Sequence, residues 1–151
     1  MKKPESINEI AQFLKYKGEK LKSLNLGQLK NVEEKLKAPL PKVYVEFLNL
    51  MGGGAGSFME GSSAFYDELL SLQEWVEELI DENNLTPLPE DAVAFWMHQG
   101  YQAAFFRTSE GDDPPVYFFS EGYKMNQFLL DEPSLTKFFL KQLLFSYPEL
   151  K

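Results

Sequence analysis

One stretch constrains this chain more than any other: Leu40-Pro41, then ten residues, then Gly52-Gly53-Gly54-Ala55-Gly56. Between the proline and the glycines, Tyr44, Phe47, Leu48 and Met51 stand at i, i+3, i+4 and i+7, so they share one face of a 3.6-residue helix. Pro41 is read at the first helical position, where its missing N–H costs nothing, and Gly52 falls just past the end. Gly53, Gly54 and Gly56 then predict a sharp reversal with backbone at positive φ. Upstream, the residues from Glu33 read as a shorter amphipathic helix that stops at the Leu-Pro step, because the residue before proline is pushed out of helical geometry. Helix, step, helix and tight reversal follow from local chemistry alone.

The rest of the chain gives that unit something to pack on. With 151 residues, 44% of them hydrophobic and 13 of them phenylalanine, the chain fits one domain with a core of aromatic slabs between a sheet and helices. It contains no cysteine, which removes disulfides, thiolate zinc sites and cysteine nucleophiles together and fits a reducing cytoplasm. Pro4, Glu5 and Asn8 interrupt the N-terminus at once, so no signal peptide is expected, and no run approaches the apolar length of a membrane span. The net charge of −8 is unevenly placed: residues 1–42 carry +5 and the remainder −13. A body of that sign repels phosphate backbones, which argues against nucleic acid, and attracts a basic protein.

Taken in order, Ser6 and Glu9 form a capping box ahead of Ile7, Ile10, Ala11 and Leu14, and the helix frays at Lys15–Gly18 into a lysine-rich segment that ends at Lys22. Residues 1–25 are read as a helical extension and residues 26–151 as the domain proper. After the glycines, Ser57–Glu60 is read as the start of a strand that Gly61-Ser62-Ser63 breaks, and Ala64–Leu70 fits neither period. Ser71 and Glu74 form a second capping box, with Leu70 and Trp75 as a hydrophobic staple, opening a helix that buries Leu72, Trp75, Val76, Leu79 and Ile80. Its exposed face is Glu74, Glu77, Glu78, Asp81 and Glu82, and the last two sit where the helix dipole disfavours negative charge. Asn83–Asp91 is a connector. Ala92–Met97, Tyr101–Thr108 and Pro115–Ser120 are then three strands joined by short turns, an antiparallel meander. Both faces of these runs are apolar, so helices should cover one side. Ser134 caps a final helix with Leu135, Phe138, Phe139, Gln142 and Leu143 on one repeat. The fold class is α+β: a single domain with a mainly antiparallel sheet packed by helices.

Searching the same residues for chemistry returns none. The one histidine, His98, lies in a turn with no nucleophile elbow anywhere in the chain. The glycine run lacks the Lys and Ser/Thr of a phosphate loop and follows a helix, which makes it a helix stop. Glu110, Asp112 and Asp113 surround Gly111, but with Asp112 as first ligand a calcium loop would need a ligand where Pro114 stands. No cofactor, metal or catalytic residue is assigned, and a binding protein is favoured over an enzyme.

Leu40, Pro41, Tyr44, Phe47, Leu48, Gly52 and Gly53, taken as an ordered set, resemble the opening of the SUKH superfamily. That group includes the Smi/Knr-type regulators of yeast cell-wall glucan synthesis and many bacterial toxin-immunity proteins. Gly100-Tyr101, Glu110-Gly111-Asp112 and Pro115-Val116-Tyr117 continue the resemblance, which runs from about Leu26 to Phe145. One departure is Phe105-Phe106-Arg107, where many relatives carry an acidic residue. The resemblance implies a binding module whose partner is a protein, in the immunity case a basic, nuclease-type toxin domain held stoichiometrically, with a glucan-synthesis regulator or scaffold as the other role. An acidic face for such a partner would be drawn from Glu74, Glu77, Glu78, Glu110, Asp112, Asp113 and Glu121, with Trp96, His98 and Tyr101 as aromatic anchors.

Overall fold

In the computed structural model, residues 2–36, 39–120 and 128–151 are described. The Leu-Pro step and the glycines do what their chemistry demands, with two refinements. Helix α3 (Lys42–Met51) buries Tyr44, Phe47, Leu48 and Met51, and Pro41 stands one residue outside it, its ψ of 146° still extended. Gly52 and Gly53 are selected by space and not by positive φ: a Cβ on Gly52 would lie 2.7 Å from the Leu48 carbonyl oxygen, and one on Gly53 would lie 3.0 Å from that of Lys22. The left-handed reversal falls to Gly54 and Gly56, at φ 145° and 62°. The approach at Gly53 exists because the lysine-rich segment is tied down: strand β1 (Leu21–Lys22) pairs antiparallel with β2 (Gly54–Ala55), and the Gly53 N–H donates to the Lys22 carbonyl at 2.7 Å.

Helix α1 (Ile7–Tyr16) opens on Ser6, whose Oγ accepts from the Glu9 N–H at 3.1 Å, and it packs Ile7, Ile10 and Leu14 into the core against α3 and the C-terminal helix. Helix α2 (Leu26–Leu36) follows, with Val32 its buried residue.

The next stretch departs from the reading above. Ser57–Glu60 is a turn, and Ser62–Ser63 is the strand, β3. Positive φ at Met59 (55°) and Gly61 (85°) rules out extended chain before Ser62, while the Ser62 Oγ lies 3.0 Å from His98 Nδ1 on the neighbouring strand. Helix α4 runs Tyr66–Glu82, so Ser71 is inside it and caps nothing. Its start is set from afar: the Tyr66 N–H donates to the Gly52 carbonyl at 2.8 Å. Leu69, Leu72, Val76, Leu79 and Ile80 form the buried stripe, and Trp75, expected inside, flanks it at 38% exposure.

Strands β4 (Ala92–His98), β5 (Gln102–Arg107), β6 (Val116–Ser120) and β7 (Leu129–Glu132) complete a five-stranded antiparallel sheet in the order β3-β4-β5-β6-β7. The meander was anticipated; β3 and β7 were not. A bulge between Ala94 and Trp96 shifts the β4 register. Helices α3 and α5 (Leu135–Ser146), the latter capped by Ser134 through the Lys137 N–H at 3.1 Å, press aromatic rings onto one sheet face. Phe47 stacks on Phe139 at 4.3 Å, Tyr44 meets Phe106 edge-on at 5.0 Å, and Phe95 meets Phe138 at 5.0 Å. These are the favoured geometries for ring quadrupoles, and they make the aromatic slab the centre of the core. Beyond β3 the edge of β4 has no strand partner among the described residues. There the α4 residue Gln73 takes the place of one, donating from Nε2 to the Ala94 carbonyl (2.5 Å) and accepting the Ala94 N–H on Oε1 (3.1 Å). That contact fixes α4 alongside the sheet and thereby sets which of its residues face outward.

Candidate functional site

The acids expected to form one face are divided by the fold. Glu110, Asp112 and Asp113 lie in the β5–β6 turn, and His98 and Tyr101 lie at the opposite end of the hairpin. Between them runs the six-residue β5, roughly 20 Å of extended chain.

In the β5–β6 turn two of the three acids serve the fold through their carboxylates, and the third through its main chain. Asp113 accepts the Thr136 N–H (2.9 Å) and hydroxyl (2.8 Å), satisfying the first turn of α5. Glu110 accepts the Tyr117 hydroxyl at 2.9 and 3.0 Å, and burial together with this carboxylate pushes the Tyr117 phenol above its ordinary pKa. The Asp112 carbonyl takes the Val43 N–H at 3.0 Å, at the start of α3, and its side chain is exposed. Beside them Asp91, which the sequence did not single out, accepts from Ser109 through both hydroxyl and N–H and from Arg107 Nε at 2.8 Å. The Ser109 hydroxyl foremost, with Arg107, holds the Asp91 carboxyl down at about 2. No set of three or more His, Asp or Glu residues suited to a metal ion occurs among the described residues.

At the β4–β5 end, Gln99 (φ 53°) and Gly100 (φ 78°) make a left-handed turn of the type I′ form, closed by the Tyr101 N–H on the His98 carbonyl at 3.3 Å. Trp96 is only 6% exposed and stacks on His98 (5.9 Å, 8°), which in turn meets Tyr101 edge-on at 6.5 Å. Of these three anchors Tyr101 is the exposed one, at 36%. Glu121 lies outside the described residues.

The acids that do come together are those of α4. Glu74, Glu77, Glu78, Asp81 and Glu82 are all exposed. Glu74 meets Lys35 at 3.4 Å across solvent, and the other four make no ion pair among the described residues. Trp75, Glu78 and Glu82 fall at i, i+3 and i+7, and with Ser63, Leu79, Met97 and Gly100 they line a hollow of about 320 Å³ between α4 and the β4–β5 turn. The sequence pattern puts these carboxylates on the exposed face, where they are, and puts Trp75 on the buried one, where it is not. The signal was present: once Leu69 joins the pattern, Leu69, Leu72, Val76 and Leu79 define the stripe and Trp75 falls on its border. A helix face of unpaired carboxylates around a half-exposed indole offers acceptors and apolar area. It offers no nucleophile and no paired general base.

A Leu-Pro helix step, a Gly-Gly stop packed on the preceding strand, and an antiparallel meander backed by helices together define an α+β domain of the SUKH type. The chain belongs to the SMI1 / KNR4 family (SUKH-1), whose family model matches residues 24–141. That span holds every described candidate residue and leaves α1 outside. No curated protein matches the chain significantly. No helix among the described residues is long and apolar enough to cross a membrane.

Proposed function

We propose that this protein is a non-enzymatic binding module of the immunity kind, which neutralises a basic, nuclease-type toxin domain by stoichiometric contact through α4. The observation that carries the reading is the exposed row Glu77, Glu78, Asp81 and Glu82, unpaired among the described residues, with Trp75 half-exposed within it. Asp81 and Glu82 stand in the last turn of the helix, where the backbone dipole makes carboxylates locally unfavourable. Helix stability did not select them; a positive partner gives them a use. Their carboxylates would occupy the places that substrate phosphates take on the partner, and opposite charge would speed encounter. Trp75 supplies the desolvated contact such interfaces centre on. In this reading Glu110 and Asp113 act through the fold, so a paired Asp112/Asp113 substitution would mix a binding effect with the loss of the α5 cap.

The test is capture from the native host at low and high salt, with wild type, Glu78→Lys/Glu82→Lys and Trp75→Ala compared. One stoichiometric basic partner, released by salt and lost with either variant, is the expected result. A partner held equally by all three proteins refutes the α4 assignment. Several weak partners indifferent to salt would instead support a regulatory scaffold like the glucan-synthesis regulators.

A further inference from the structure

Successive residues of β4 face opposite sides of the sheet. Met97 faces the hollow under α4, whereas Trp96 and His98 face the other side. There a trough of about 460 Å³ lies between α5, β7 and the Ser57–Ser62 turn. Trp96, Phe118 and Phe138 are its aromatic lining, with ring centroids 6.4 and 5.7 Å from Trp96, and Phe145 lines it at 66% exposure. The Trp96 indole N–H is buried with no partner among the described residues.

The charges select what this trough accepts. Its lysine, Lys141, is already held by Asp131 at 2.7 Å and Glu132 at 3.5 Å. Glu60 is exposed on its border and makes no ion pair among the described residues. An anionic ligand would therefore meet carboxylates with no free lysine or arginine among the described lining residues to balance it, while a cation would meet Glu60. The trough is in the size range of a ligand pocket, but such pockets bury most of their ligand, and an aromatic as exposed as Phe145 is what a partner's side chain would cover.

We propose that this trough is a second docking site, separate from the α4 face, for a short segment of a partner protein that carries a large apolar side chain next to an arginine or lysine. The apolar group lies against Trp96, Phe118 and Phe145, and the cation lies near Glu60.

The chain's two tryptophans make the test direct, because Trp96 lines the trough and Trp75 lines the α4 hollow. The indole N–H signals are followed by NMR while the capped peptide acetyl-Gly-Trp-Arg-Gly-amide, or its Trp-Glu counterpart, is added to the full chain. The expected result is a saturable shift of the Trp96 signal with Trp75 unmoved, and about fivefold weaker binding of the glutamate peptide. Phe145→Ala, an exposed position that leaves folding intact, should weaken the arginine peptide about fivefold, and Glu60→Lys should erase the preference for it. Equal binding of the two peptides, a shift at Trp75 alone, or no shift at all overturns the proposal. So does a Trp96 shift on concentrating the protein without peptide, which would assign the trough to a second copy. None of these outcomes depends on whether the α4 face binds a toxin.

Discussion

Replacing Gln73 with methionine isolates the contact that seats α4 on the sheet. The two side chains are close in length and volume, so the change removes the amide's hydrogen bonds and leaves no large cavity. Ala94 is fully buried, so both its N–H and its carbonyl lose their partner where water does not reach. A buried backbone group left unsatisfied costs about 1–3 kcal/mol, and part of the loss at two groups is recovered by burying the thioether. The net destabilisation is about 2–4 kcal/mol. For a chain of this size that corresponds to a Tm lower by roughly 6–12 °C, and to a urea midpoint lower by about 1–2 M at constant m. Native-state hydrogen exchange adds a local readout: the Ala94 amide should lose protection beyond the global change, while Phe105 on β5 should follow the global change alone. A midpoint within about 0.3 M of wild type, with Ala94 protection intact, would refute the claim that Gln73 acts as the missing strand.

Three further outcomes follow from named contacts. Gly52→Ala should cost about 1–3 kcal/mol in chemical denaturation although its φ of −62° suits any residue, because the new Cβ meets Leu48 and Leu24; a neutral result would return the glycine's role to flexibility. Tyr44→Phe should leave stability unchanged or raise it by up to about 1 kcal/mol, since the buried Tyr44 hydroxyl has no partner among the described residues and burial alone drives its pKa far upward; a loss above 1 kcal/mol would mean the hydroxyl is bonded. Acid should destabilise the fold through two carboxyls whose folded pKa is depressed. These are Asp91, at about 2, and Glu19, lowered first by the Ser57 hydroxyl and then by the Ser57 N–H. Their contributions are complete above the ordinary carboxyl range and are lost as pH falls through the folded values. Asp91→Asn and Glu19→Gln should therefore flatten the stability profile between about pH 4.5 and 2, and an unchanged acid limb in both would contradict the linkage.

Much of this architecture was legible in the residues. The α3 face, the Ser6 and Ser134 caps, the exposed acids of α4 and the β4-β5-β6 meander are written in periods of 3.6 or 2 and in hydrogen bonds spanning three or four residues. So is the ordered Leu-Pro and Gly-Gly set, though why Gly52 and Gly53 are glycine was not legible. For Gly53 the answer lies in Lys22, and for Gly52 in Leu48 together with Leu24; Lys22 and Leu24 are brought against the glycines from far back in the chain.

The features that went unread all depend on long-range partners. Ser71 and Glu74 spell a helix start that the chain overrides, because Gly52 and the buried Leu69 extend α4 upstream. Asp113 reads as a surface acid until α5 arrives to be capped, and Asp91 reads as a linker residue until Arg107 and Ser109 fold back on it. Composition and local pattern determined an acidic, aromatic-cored α+β domain with a carboxylate helix face. Only the tertiary structure decided which acids are spent on the fold, which stay free, and that Trp75 stands among the free ones. The physical reason is that a carboxylate's availability depends on which donors reach it, and those donors come from other elements.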